Sequence, residues 1–496
     1  MNTLNETHPV AILGAGPVGL AAAAHLIEHG MAVIVFEAGK TVAANLQSYR
    51  HVRLFSPWRY NVDKAAERLL KRAGWVSPAP DGLPTAGELI DDYLTPLASL
   101  PPIAVGLKLN HQILAISRYG FDKVKTRHRQ NAPFVLRALT AAGEEEFLAS
   151  AVLDATGTWS QPNPLGANGL LAVGESSLAD RITYGMPDVL GLQRARYAGR
   201  RVLVVGAGHS AAGTLLALTQ LAEAEPGTSL IWAIRGTELA RVFGGGEADG
   251  LLARGQLGIR LKALQASGKL ELHTGLRISA LRKAQGTIQV IGESGTPVIE
   301  GIDEIVAATG SRPDLTITRE LRVRHDAWLE STDALAPLID PNEHSCGTVR
   351  PHGHRELAHP EPNYYAVGAK SYGRAPNFLM ATGYEQVRSI VAALAGDMAG
   401  ADDVQLDLPE TGVCNTQSLT GEARSAGCCA PAPVLTSASL RDDDAPATGC
   451  CGGPAPAGPD ACCVLDASEK ALGKSGCGCA SATATPAAAE PDRCCP

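Results

Sequence analysis

The stretch VAILGAGPVGLAAAAHLIEHGMAVIVFEA, residues 10–38, decides the fold. Four apolar residues run into a G-x-G-x-x-G motif at Gly14, Gly16 and Gly19. An alanine- and leucine-rich segment of helical character follows, and then a second apolar run that ends at Glu37. Strand, tight turn, helix and strand in this order make a dinucleotide-binding βαβ unit. Gly14 permits the turn, Gly16 lets a pyrophosphate approach the backbone, and Gly19 lets helix and strand pack closely. The helix start offers unpaired N–H groups and a positive dipole end to phosphate. Glu37 stands 18 residues after Gly19, where a carboxylate takes the hydroxyl pair of a ribose.

The plan recurs at 201–236 as RVLVVGAG, HSAAGTLLALTQLAEA and TSLIWAIRG, with Gly206, Gly208 and Ala211 in the glycine positions. Its second strand leads to Arg235 instead of an acid. An arginine there suits the 2′-phosphate of NADP, whereas an acid binds the free hydroxyl of NAD. An acid-ended site followed by an Arg-ended one describes an FAD domain with an NADPH domain inserted in it. Two strands ending in Ala-Thr-Gly, VLDATG (152–157) and EIVAATG (304–310), mark the crossings, so Thr156, Gly157, Thr309 and Gly310 join the candidate cofactor contacts. The expected class is α/β with two Rossmann-like domains. Residues 1–195 and 309–408 form the discontinuous FAD domain, 196–308 the NADPH domain, and 409–496 a cysteine-rich tail.

Composition narrows the class. A formal net charge of -8 over 496 residues argues against a nucleic-acid partner. No run of about 18 apolar residues suggests a membrane span, and the first residues lack a basic leader and read as an opening strand. A cytoplasmic location is the expectation, with a homodimer as a possible assembly.

Four further segments carry chemistry. YRHVRLFSPWRYNVD (49–63) concentrates aromatic residues in a chain that is only 4% aromatic, and is expected to cover the flavin, with Trp58 and Asn61 nearest the reacting face. GTWSQPNP (157–164) brings Trp159 and Asn163 toward the cofactor. VGAKSYGRAPNFLMATGYEQ (367–386) sets Gly368 after a strand and Asn377 or Phe378 at a helix start, whose positive end, with Lys370 and Arg374, would stabilise charge on a reduced ring. NEHSCGTVRPHGHREL (342–357) offers His344 and Cys346 as groups that touch substrate, or else a hydrogen-bonded turn. Its spacing is not that of a zinc site.

The cysteines are lopsided. Cys346 is the only one before Cys414, and the other eleven fall between Cys414 and Cys495. Residues 1–345 therefore hold no thiol pair for an internal dithiol relay. Beyond residue 408, Ala, Gly, Pro, Ser, Thr, Asp and Cys dominate and no aromatic occurs, so the tail is expected to be disordered. It carries Cys428–Cys429, Cys450–Cys451, Cys462–Cys463, Cys494–Cys495 and the pair Cys477 and Cys479. Neighbouring Cα atoms lie about 3.8 Å apart, short of the ~5.5–6 Å a disulfide favours. Such dithiols suit a soft metal or metalloid ion.

These features together resemble the flavin-dependent monooxygenase superfamily. VRLFSPWRYNVD, GTWSQPNPLGANG, YGMPDVLG, HSCGTVRPHG, KSYGRAPNFLMATGYEQVRS and LPETGVC are similar to flavoproteins that accompany bacterial arsenic-resistance genes, over residues 8 to 414. The superfamily resemblance implies FAD, NADPH, molecular oxygen and transfer of one oxygen atom to a soft nucleophile. The narrower one implies a trivalent arsenical as that nucleophile. The alternative is an NADPH-dependent flavin reductase that passes electrons to thiols or metal ions through the tail cysteines. The Baeyer–Villiger signature F-x-G-x-x-x-H-x-x-x-W is replaced by ITYGMPDVLGLQRARY at 182–197, so ketone oxygenation is not implied.

Overall fold

The computed structural model describes residues 8–249, 251–344 and 349–406. The chain divides into two units, Met1–Leu419 and Thr420–Pro496, and all that follows concerns the described residues of the first.

Two five-stranded parallel sheets carry the molecule. In the first, Val10–Leu13 lies between Val33–Phe36 and Ala151–Asp154, with Leu107–Lys108 and Tyr364–Ala366 at the two edges. In the second, Arg201–Val205 lies between Ser229–Ala233 and Glu304–Ala307, with Leu270–His273 and Ile182–Tyr184 at the edges. Both are near-continuous apolar runs, as strands covered on both faces require. Each sheet also feeds a three-stranded antiparallel sheet, at 112–149 and 278–302, before its Ala-Thr-Gly strand. The whole plan is therefore repeated, including its accessory sheet.

The first sheet draws strands from both sides of the second, so the FAD-type domain is discontinuous and the other is inserted into it. Ile182–Tyr184 pairs with Glu304–Ala307 in the second sheet, ahead of the boundary expected at residue 196. No periodicity announced this edge strand, because it is three residues long.

The helix Pro17–Glu28 packs its buried alanines on the first sheet and against the helix Met380–Leu394. Behind the sheet, Glu361 is a buried clamp. Its carboxylate accepts from Arg118 Nε at 2.8 Å, from Arg129 Nη1 at 2.7 Å and from the Arg322 amide at 2.8 Å. The clamp ties the 112–149 sheet to the strand that leads into the 368–372 turn. Among the described residues no helix is long and apolar enough to cross a membrane.

Candidate functional site

At the first glycine motif, Gly14 has φ +94°, and a Cβ there would sit 2.7 Å from the Ala155 carbonyl oxygen. The alanine of the first Ala-Thr-Gly thus abuts the first glycine of the cradle. Around Gly16, by contrast, nothing lies within 4 Å of a Cβ position. The helix starting at Pro17 opens there with Gly16 as its cap and no side-chain acceptor, leaving its amides for an anion. Glu37 accepts from Ala15 N at 2.9 Å through one oxygen and from Gly39 N at 2.8 Å through the other. Each carboxylate oxygen keeps a second lone pair, the geometry a ribose diol needs. Gly14, Gly16, Glu37, Thr156, Gly157 and Gly368 all line one cavity of about 560 Å³. Gly19 lies beneath it, its Cβ position 1.9 Å from the Gly14 oxygen, so a bare backbone is required there. These residues fit an FAD.

The cavity wall differs from expectation. Tyr49, Phe55 and Trp159 line it, whereas Trp58 and Asn61 do not. Trp58 opens a one-turn helix, donates its amide to Gly82 O and is only 7% exposed within the first core. Asn61 is spent on its own turn, accepting from Ser56 Oγ at 2.8 Å and donating to Ser56 O at 2.7 Å. Tyr49 packs on Trp159 with ring centres 4.6 Å apart and planes tilted by 52°, and Phe55 meets His209, the first residue of the second cradle's helix, at 5.2 Å. Burial pushes the Tyr49 phenol up to about 12, so it stays neutral.

Of the two residues expected at the helix start, Asn377 is a second correction. It is buried behind the helix start, donating to Ile339 O at 3.2 Å, while Phe378, Leu379 and Met380 face the cavity. His344 is a third, since its ring nitrogen donates to Pro337 O at 3.0 Å, away from the cavity lining. Cys346 lies outside the described residues. The nearby His352 is a brace: Nδ1 donates to Arg350 O, and Nε2 accepts from Gln386, whose Oε1 receives the Gly368 amide. Burial holds its pKa below the usual histidine value, in keeping with that neutral role.

The second cradle repeats the first. Gly206 has φ +140°, and its Cβ position lies 2.2 Å from the Ala308 oxygen, matching Gly14 and Ala155. Gly208 is open above the helix His209–Ala224, and Ala211 is fully buried where that helix meets its sheet. Gly14 N bonds Phe36 O, and Gly206 N bonds Ala233 O. Ile234 therefore occupies the position of Glu37, and Arg235 is the exposed residue after it, with a 3.4 Å contact to Ala167 O. With no carboxylate to take a 2′-hydroxyl and a guanidinium beside it, the cradle fits NADPH. Arg235→Ala should lower kcat/KM for NADPH about tenfold and leave NADH unchanged, in steady-state assays of both nucleotides.

Thr309 and Gly310 do not line the cavity; they join the two crossings. Thr309 Oγ1 donates to Asn163 O at 2.5 Å, Asn163 N to Gly310 O at 2.9 Å, and Ser311 bonds Thr158. Lys370, expected to act toward the flavin, does line the cavity, but the sequence reading missed its buried partner, Asp154, whose Oδ2 lies 2.6 Å from Lys370 Nζ. The only signal available was two charged residues beside the small-residue turns. Among the described residues no group of three or more His, Cys, Asp or Glu is placed to hold a metal. The tail cysteines proposed as ligands lie outside the described residues.

Comparison with solved structures supports this frame. The bacillithiol disulfide reductase of Bacillus cereus is 18% identical, with a TM-score of 0.58 over 78% of this chain and 99% of that one. The FAD-bound cadaverine monooxygenase of desferrioxamine biosynthesis from Erwinia amylovora is 13% identical, with a TM-score of 0.56 over 84% and 99%. A flavin monooxygenase from Stenotrophomonas maltophilia is 21% identical, with a TM-score of 0.50 over 78% and 98%. At such identities the likeness is one of fold. No curated protein sequence matches the chain. The family model for pyridine nucleotide-disulphide oxidoreductases matches residues 11–346, which include both cradles. The chain accordingly belongs to that family, as a flavin-dependent oxidoreductase built for FAD and NADPH.

Proposed function

We propose that the chain is an NADPH-dependent flavin monooxygenase acting on a soft nucleophile such as a trivalent arsenical. The observation that carries this reading is the absence of cysteine from residues 1–345, in a family named for disulphide chemistry. Electrons arriving on the flavin meet no dithiol in that part of the chain. The wall of Tyr49, Phe55 and Trp159 instead suits a substrate that brings its own lone pair and needs no general base. The balance is simple: NADPH supplies a hydride, one atom of O₂ is bonded to the substrate lone pair, and the other leaves as water with a proton from solvent. Arsenic is then oxidised from the trivalent to the pentavalent state. The resemblance to flavoproteins of arsenic-resistance gene clusters supports the arsenical. The paired tail cysteines are proposed as a soft-ion arm serving the same substrate.

Substrate-stimulated NADPH oxidation with equimolar oxygen uptake is the expected result, measured side by side with arsenite, methylated arsenicals, thiols and amines. Turnover that proceeds equally well without oxygen, and is lost on truncation after residue 412, would transfer the assignment to a thiol or metal reductase working through the tail.

A further inference from the structure

Among the described residues lining the cavity, Lys370 is the only lysine or arginine. Its side chain is 1% exposed, an uncommon burial for a lysine. The ammonium pairs with Asp154 Oδ2 at 2.6 Å and donates to Thr156 Oγ1 at 3.0 Å. Asp154 is itself saturated. Oδ2 also accepts from the Tyr364 hydroxyl at 3.1 Å, and Oδ1 from Thr156 N at 3.2 Å and Thr156 Oγ1 at 2.7 Å. An ammonium carries three protons. Two have acceptors, and the third has none among the described residues. Leaving a charged donor unpaired in a buried place is costly, so a third acceptor is expected from whatever fills the cavity.

The position of the turn says which part of the ligand that is. Gly368, two residues before Lys370, packs on Val18, with a Cβ position 3.2 Å from Val18 Cγ2. Val18 belongs to the first turn of the helix that starts at Pro17, whose open amides suit an anion. The turn bearing Lys370 thus abuts the anion end of the cradle, while Glu37 marks the ribose.

We propose that Lys370 is a cofactor-anchoring cation that donates its third N–H to a pyrophosphate oxygen of FAD. Asp154 and Thr156 hold the ammonium there and lock the 155–158 turn to the 368–372 turn. This rests on the reading of the cavity as an FAD site.

The test uses the full-length chain, with flavin fluorescence on dilution reporting the FAD dissociation constant and added ADP as competitor. Lys370→Met combined with Asp154→Asn removes both charges, so no buried carboxylate is stranded. Lys370→Gln serves as a second variant, and circular-dichroism melts show which variants are folded. A folded variant should bind FAD about tenfold more weakly and lose a similar factor for ADP, which shares the pyrophosphate but lacks the flavin. FAD affinity within twofold of the parent would overturn the assignment. So would weakened FAD binding with unchanged ADP competition, since the contact would then be to the flavin. If the parent itself binds no FAD, the cofactor reading fails first and the Lys370 assignment fails with it.

Discussion

Gly206→Ala is expected to leave FAD bound and to slow flavin reduction by NADPH at least about 100-fold, a factor that an ångström of misplacement can produce. A methyl group on Gly206 would lie 2.2 Å from the Ala308 oxygen and 2.8 Å from its carbonyl carbon. Both are backbone atoms that cannot rotate away, and φ +140° is itself hostile to an L side chain. Either the glycine turn or the Ala308–Gly310 crossing must shift, and the nicotinamide nucleotide loses its register. The first cradle has its own close contact, between Gly14 and Ala155. The measurement is anaerobic stopped-flow reduction by NADPH, with dithionite reduction and flavin content as controls. Reduction at the parental rate would remove Gly206 from the nucleotide site.

Glu361→Ala should cost about 3–5 kcal/mol of stability, the usual penalty for stranding a buried charge partner. Its side chain is 0% exposed, and those of Arg118 and Arg129 are 2% exposed. Truncation leaves two guanidinium groups and the Arg322 amide without their common acceptor, although Arg118 keeps its stacking over Phe134 at 3.6 Å. The pair also sets a pH dependence. Burial by itself raises the Glu361 pKa, but the Arg322 amide and the two guanidinium groups outweigh it and hold the carboxyl below its ordinary value. A carboxyl depressed in the folded state contributes stability above its unfolded pKa of about 4.3. That stability is lost as the pH falls through the lower folded value. Glu361→Gln should therefore be less stable than the parent at pH 7 and should lack this component of the acid slope. Urea titrations of both proteins between about pH 7 and 3 decide it. Parallel curves would mean that Glu361 titrates alike in both states.

How much was legible in the sequence follows from the range of the interactions. Gly14, Gly16, Gly19 and Glu37 could be read because a βαβ cradle is local: its glycines, helix start and acid lie within 24 consecutive residues. The second cradle could be read for the same reason. The two Ala-Thr-Gly strings were visible as a repeat, but their reason was not. Each alanine carbonyl abuts the first glycine of a cradle more than a hundred residues away in the chain. The aromatic run at 49–63 announced a wall of the site without saying which rings form it. The choice fell to the turn closed by Ser56 and Asn61, which sends Trp58 into the core and leaves Tyr49 and Phe55 at the cavity.

By itself, the sequence determined the two nucleotide cradles, their order, the arginine that stands by the second where the first has an acid, and the lack of a thiol pair before residue 346. These depend on backbone conformation, short spacing and plain composition, which need no partner from elsewhere in the chain. Only the tertiary structure decided that Ile182–Tyr184 joins the second sheet, that His344 and Asn377 stand away from the cavity, and that Lys370 meets Asp154. Each of these depends on a contact with a distant part of the chain, as between Lys370 and Asp154, where charge and spacing carry no record of which partner packing will supply.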